Sequence, residues 1–203
     1  MEERKNKRSN QSENENRDQG LDLALDSASD IIILFCGLLL AFVLLFRVVV
    51  VSGPSMKNSL VDGDYLLLLS STFYGDPEPG DIVVVSKADF KDGEPIVKRV
   101  IATEGQTVRI DGNTGEVYVD GQLLDEEYIM TPSSSGRYGS MEVTVAEGCV
   151  FVMGDNRANS KDSRDSAIGQ VDVRQIVGKA IFLVFPGNEE GRIERDFGRI
   201  GAP

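Results

Sequence analysis

Ile31 to Phe46 is a run of 16 residues without a charged side chain. Counted on through Arg47 to Val51 it is 21 residues, about 32 Å as a helix, against a bilayer core of about 30 Å. A stretch this apolar has few uses in a soluble chain. A buried core helix would need a partner domain that the 30 polar residues ahead of it cannot supply. A cleavable signal peptide has a shorter apolar core beside a positive flank, although Val50 and Ser52 form a weak small-residue pair of the kind its cleavage sites use. We read 31–47 as a transmembrane helix with Arg47 snorkelling at its end. Val48 to Val51 then begin a β-strand, which suits their β-branching. The positive-inside rule gives no orientation, because only Arg17 lies within 20 residues before the run while Arg47 and Lys57 follow it closely.

Ahead of this helix, 1–30 is a polar tail in which Arg4, Lys5, Lys7 and Arg8 stand among Asn, Ser, Gln and Glu. Residues 1–20 are expected to be disordered, whereas Leu21, Leu25 and Ala28 have the spacing to extend the helix outward. Beyond it the pattern changes to short β-type runs split by Gly, Pro and Asp turns. The runs are Tyr65–Leu69, Ile82–Val85, Ile96–Ala102, Thr107–Ile110, Glu116–Asp120, Glu142–Val145, Cys149–Met153 and Ile176–Phe185. Asp111–Gly115 and Asp120-Gly121 are turn chemistry, and Val117-Tyr118-Val119 alternates as a hairpin arm does. No long helical period and no internal repeat occur in this half. The expectation is an all-β, antiparallel domain on one membrane helix.

Composition narrows the chemistry. With 33 acidic against 21 basic residues the net charge is −12, which argues against a nucleic-acid partner. There is no histidine, so neither a Ser-His-Asp triad nor a His-ligated metal site can be built. The two cysteines, Cys36 and Cys149, lie in dissimilar segments and are expected to be unpaired. Hydrolysis without histidine leaves paired carboxylates, an oxygen-held metal, or a serine activated by a lysine. Most acidic residues sit in turns beside Gly or Pro, as solvated surface does. Gly53-Pro54-Ser55-Met56, by contrast, is a tight turn directly after an apolar run, able to present the Ser55 hydroxyl.

A lysine can act as base only when neutral, and at a reference pKa of about 10.4 roughly one in 2,500 is neutral at pH 7. Burial favours the neutral form, so the base should sit in an apolar strand. Lys87, Lys91 and Lys161 lie in polar stretches, and Lys57 is too close to Ser55 in the chain. Lys98, within Ile96–Ile101, and Lys179, within Ile176–Phe182, both fit. Residue type and surroundings leave the choice open.

Gly154–Arg164 is the most informative segment, with only Gly154 and Ala158 lacking a hydrogen-bonding side chain among 11 residues. It follows an apolar strand and carries opposite charges closely spaced, which suggests a held network. Together with Ser55-Met56 after the valines and Lys98-Arg99-Val100-Ile101, it resembles the bacterial type I signal peptidases over about residues 47–186. Its G-D-N-R-x-N-S-x-D-S-R pattern is matched at every specified position. Gly63-Asp64, Pro79-Gly80-Asp81-Ile82-Val83, and Val117–Gly121 with Tyr128 resemble further family segments.

The resemblance implies a Ser–Lys dyad, with Ser55 as nucleophile and Lys98 as base, since Lys179 lies outside the lysine-arginine motif. It implies that Ser160 orients the lysine amine, that Asp162 and Arg164 form a supporting ion pair, and that Asp155 and Arg157 belong to the same network. The oxyanion would meet the Ser55 N–H, and Gly53 stands where some members carry a side-chain donor. Val51, Gly53, Met56, Leu66, Ile96 and Val97 are the expected walls of pockets for small residues of the Ala-X-Ala type. Two departures stand out: Asn58-Ser59 replaces the family's Pro-Thr, and Ala102–Gln106 keeps only Gly105 of its G-x-P-G-D. The implied layout is a catalytic domain over 48–186, a smaller inserted β subdomain at 104–147, and a tail at 187–203. The implied protein is a membrane-bound serine endopeptidase of the cell membrane, single-pass, with a cytoplasmic N-terminus and an extracytoplasmic catalytic domain. Its partners would be secretory preproteins and the lipid bilayer, with no cofactor, metal or obligate protein partner. Two alternatives are weaker, a self-cleaving serine–lysine repressor and a non-enzymatic relative that binds substrates without cutting them. A self-cleaving repressor would need a DNA-binding domain, and a pilus-associated binder would have no need of Ser55, Lys98 and Ser160 together. The histidine-using eukaryotic signal peptidase is excluded by composition.

Overall fold

A computed structural model describes residues 27–88, 90, 93–129, 138–188 and 195–203. The expected disorder of 1–20 and the Leu21–Leu25 part of the helical extension lie outside these residues. The chain divides into two compact units, Met1–Leu44 and Leu45–Pro203.

The described part of the first unit is a helix, α1, that runs Ser27–Leu45 with its apolar side chains exposed and is long and apolar enough to cross a membrane. It starts four residues before the apolar run and stops two residues before the predicted boundary at Arg47. Phe46–Val50 is already strand β1, because β-branched valines pack better on a pleated surface than on a helix.

The second unit is built on two antiparallel sheets, as expected of an all-β chain. The larger has the order β1-β2-β11-β3-β4-β9-β10, with β2 Tyr65–Ser70, β3 Ile82–Val85, β4 Ile96–Thr103, β9 Cys149–Met153, β10 Val171–Asp172 and β11 Ile176–Phe185. The smaller, β7-β6-β5-β8, lies within Thr107–Thr144: β5 Thr107–Ile110, β6 Val117–Val119, β7 Gln122–Leu123 and β8 Met141–Thr144. Strand alternation sorts side chains to two faces. On β3, Ile82 and Val84 join a core with Val51, Met56, Leu60, Leu66 and Leu68, while Val83 and Val85 join another with Val100, Val150, Val152 and Ile176. All four β3 side chains are therefore buried, as in a strand covered on both faces. On β9, Phe151 and Met153 point the other way, into a third core shared with Val108, Ile110 and Val117 of the smaller sheet.

The described C-terminal residues of the expected tail dock on the sheet. Leu183 on β11 and Gly201 exchange backbone hydrogen bonds, at 2.7 Å from the Leu183 N–H and 3.3 Å from the Gly201 N–H. Between β2 and β3 a short helix, α2 Ser71–Tyr74, fills what the sequence pattern left as a turn.

Candidate active site

The turn that carries Ser55 lies between β1 and β2, and its base is closed by Val51 N–H to Asp64 O at 2.8 Å and Gly63 N–H to Val51 O at 2.9 Å. Gly53 has φ +87°, a conformation glycine takes without strain, and its N–H bonds Asp62 Oδ1 at 2.8 Å. From Pro54 the chain coils tightly, with Lys57 N–H on Pro54 O at 3.0 Å and Leu60 N–H on Met56 O at 2.9 Å. Asn58 takes φ +106°, a conformation that a proline ring cannot adopt. The companion departure is conservative, because Ser59 keeps a hydroxyl, and that hydroxyl donates to Asp155 Oδ2 at 2.6 Å.

Successive residues of a strand leave it on opposite faces, so Lys98 and Arg99 serve different neighbours. Lys98, 2 % exposed, places Nζ 2.8 Å from Ser55 Oγ and 2.7 Å from Val97 O. Arg99 grips Asp155 with a fork, Nε to Oδ1 at 2.9 Å and Nη2 to Oδ2 at 2.7 Å, and lies 4.1 Å from the Tyr128 ring centroid. Pairing of Arg99 with Met153 brings Gly154 and Asp155 alongside. The backbone of the next residue, Asn156, donates to Ser55 O at 3.0 Å, and its side chain donates to Pro54 O at 3.0 Å. The 154–156 segment thus holds the serine turn from behind.

Lys179, the other apolar-strand lysine, is elsewhere. Its Nζ lies 2.5 Å from Asp81 Oδ1, and Tyr74 donates to the other carboxylate oxygen. Burial alone would push the Asp81 carboxyl up, but the Lys179 and Tyr74 hydrogen bonds more than offset it and hold it below the usual range.

The remaining network residues are buried, with partners that the sequence pattern predicted only in part. Asp162 and Arg164 pair through two bonds of 2.8 Å, and Asp162 also accepts the Gly154 N–H at 3.0 Å. Burial opposes the Asp162 charge, yet the Arg164 hydrogen bonds and charge win and hold its carboxyl below the ordinary range. Arg157 pairs with Glu126, with Nη1 to Oε2 at 2.8 Å, so its partner comes from outside the expected motif. Ser160 is fully buried, and its hydroxyl beside Asp162 helps to hold the carboxylate charge.

A cavity of about 230 Å³ opens beside Ser55 and Lys98. Val51, Gly53, Ile96 and Val97 line it, together with Phe90, Pro95, Asn159 and Lys161. Met56 and Leu66 do not. Both are fully buried in the core beneath, because the residue after the serine turns inward and Leu66 occupies an inward position on β2. Sequence reasoning also missed Ser59, Glu126 and Tyr128 as network members. The retained hydroxyl at the departure from Pro-Thr was the available signal for Ser59. No group of His, Cys, Asp and Glu among the described residues could hold a metal ion.

An all-β fold thus sets a serine hydroxyl against a buried lysine amine at the mouth of a cavity, in a chain without histidine. Comparison with known proteins specifies it further. Residues 25–185 match the family described as "Signal peptidase, peptidase S26". A probable signal peptidase I-1 of Synechocystis sp. is 38 % identical over 175 residues, 81 % of this chain and 86 % of that protein. A signal peptidase I of Bacillus licheniformis is 35 % identical over 153 residues, 71 % of this chain and 80 % of that one. A crystal structure of a signal peptidase I from Enterococcus faecalis V583 superimposes with a TM-score of 0.44 at 27 % identity, covering 52 % of this chain and 97 % of that one. The chain belongs to the signal peptidase family, peptidase S26, which cleaves signal peptides from secretory preproteins. Its N-terminal apolar helix fits a membrane anchor.

Proposed function

We propose that this chain is a membrane-anchored endopeptidase in which Ser55 attacks the scissile carbonyl and Lys98 is the general base. The distance of 2.8 Å between Ser55 Oγ and Lys98 Nζ carries the reading. Burial disfavours the lysine ammonium, so a neutral amine can take the serine proton as Oγ forms the ester bond. The Ser55 N–H meets the developing oxyanion. The ammonium then returns its proton to the leaving amine, and the neutral amine activates the water that hydrolyses the acyl-enzyme.

Two observations support recognition of an extended peptide ending in small residues. On β4, β9 pairs only from Arg99 onward, which leaves the Ile96–Lys98 edge beside the cavity unpaired by β9 and available to a substrate strand. The cavity walls Val51, Ile96 and Val97 are apolar and close, matching side chains of alanine size in an Ala-X-Ala site. Asp155, Arg157, Asp162 and Arg164 keep the turn and the lysine strand in place, and Ser160 packs against them. Helix α1 anchors the enzyme in the bilayer, with the N-terminal tail cytoplasmic and the catalytic domain on the outer side, where secretory proteins emerge. That domain runs from 48 through the docked segment to 203, with 104–147 as an inserted subdomain.

The test is to incubate detergent-solubilised protein with a preprotein and sequence the new N-terminus. Cleavage after a small residue that Ser55→Ala abolishes without unfolding the protein is the expected result. Processing by Ser55→Ala at the wild-type rate would refute the assignment.

A further inference from the structure

We propose that Arg199 is a positioning residue of the active site, clamping the Ser59–Asp64 end of the turn that carries Ser55. The inference rests on the reading of Ser55 as nucleophile. Arg199 lies 14 residues beyond the part of the chain that matches the family, in a stretch whose sequence reads as a tail.

The segment is held in place by the backbone exchange between Leu183 and Gly201, and by a turn in which Asp196 Oδ1 accepts the Gly198 N–H at 3.0 Å. This presents the Arg199 guanidinium to the 51–64 turn. Nη1 bonds Asp64 Oδ1 at 3.1 Å, Nη2 bonds Asp64 Oδ2 at 2.7 Å, and Nη2 also donates to Ser59 O at 3.1 Å. Asp64 has no exposed surface, and its oxygens further accept Gly187 N–H at 2.6 Å and Val61 N–H at 2.8 Å. A carboxylate that deeply buried needs a counter-charge, and Arg199 makes its salt bridge.

Both residues that Arg199 grips belong to the turn that presents the nucleophile. Ser59 then passes the constraint on, since its hydroxyl donates to Asp155 and receives Arg99 Nη2 at 3.3 Å. Asp155 precedes the Asn156 amide that holds Ser55 O, and Arg99 adjoins Lys98 on β4. The turn is thus pinned at both ends, by Asn156 at Ser55 and by Arg199 at Ser59 and Asp64. The planar fork bonds the two carboxylate oxygens through separate nitrogens and still reaches a carbonyl, a geometry that the single nitrogen of a lysine reproduces only in part. Arg199 does not line the cavity, so its influence falls on the placement of Oγ rather than on substrate binding.

The test compares full-length wild type, Arg199→Met and Arg199→Lys in detergent, at a temperature well below the lowest melting point. It reads kcat and KM on one preprotein, and hydrogen exchange of the 51–64 amides. We expect Arg199→Met to lower kcat about tenfold, a fraction of the effect of a full 1 Å misplacement. KM should stay within about twofold, Arg199→Lys should restore only part of kcat, and exchange across 51–64 should quicken. Unchanged kcat per folded molecule, or unchanged exchange of the turn, would overturn the proposal even if melting fell. Should Arg199→Met fail to fold, full kcat and unchanged exchange in Arg199→Lys would overturn it equally. A wild type that cleaves no preprotein would count against the Ser55 reading, while the exchange of the turn still decides whether Arg199 clamps it.

Discussion

Gly154→Ala should damage catalysis far more than stability. A Cβ built on Gly154 would lie 2.3 Å from Ser160 Oγ, 2.4 Å from Ser55 O and 2.6 Å from Ser160 Cβ. Carbon atoms pack at about 3.5–4.0 Å, so something must move by about 1 Å. The Ser160 hydroxyl can rotate away, but Ser55 O is backbone and is held by the Asn156 N–H, so relief has to come from the nucleophile's own turn. Overpacking of this kind costs about 1–3 kcal/mol, a few degrees of melting temperature for a domain of this size. Displacing the attacking serine by 1 Å costs about 100-fold in rate. The control is Gly178→Ala on β11, whose Cβ would meet Leu69 O at an equal 2.3 Å, in a part of the sheet that does not touch Ser55. Thermal melts and single-turnover cleavage, normalised to folded protein, separate the two effects. We expect similar melting losses but a large fall in rate for Gly154→Ala alone. A Gly154→Ala enzyme cleaving at the wild-type rate, or a Gly178→Ala enzyme losing as much per folded molecule, would refute the reasoning.

Asp162→Ala should cost about 3–5 kcal/mol at neutral pH, because it strands the buried Arg164 charge. Since the folded Asp162 carboxyl is held below its ordinary value, its contribution is full above the unfolded value of about 3.9 and is lost as pH falls below it. The melting-point gap between wild type and variant should therefore close as pH drops below about 4, and a constant gap would contradict the pairing. Met56→Ala, in the core, should cost about 2–5 kcal/mol and leave the residue preference at the cleavage site unchanged. Ile96→Ala, on the cavity wall, should instead admit larger side chains in a peptide-library assay. The reverse pattern would restore Met56 to the pocket.

The strand runs were legible because β-branched residues between Gly, Pro and Asp turns leave little room for another element. All eight predicted runs match observed strands to within a residue at each end, and β3, β5, β9 and β11 have the predicted limits. Pairing was less legible, since β11 between β2 and β3 joins segments about 100 residues apart. The residues of the proposed dyad stood out through local motifs, yet bottom-up reading left the choice between Lys98 and Lys179 open, because both occupy apolar strands. What separates them is a partner, Asp81, that no local pattern around Lys179 reveals. Glu126 was hidden for the same reason: an acidic residue near a turn reads as solvated surface until Arg157 is seen folded onto it. Arg199 was hidden by its surroundings, glycine and charge with only Phe197 and Ile200 to suggest a docked segment.

The central claim is that Lys98, rather than any other amine, takes the Ser55 proton, and the initial cleavage rate of a preprotein by Lys98→Met and Lys179→Met tests it most directly. Methionine keeps the apolar packing of β4, so Lys98→Met should fold and melt near wild type while its rate falls to background. Lys179→Met removes the partner of Asp81, so it should lose some stability but keep most of its rate per folded molecule. Cleavage that persists in Lys98→Met and disappears in Lys179→Met would contradict the dyad.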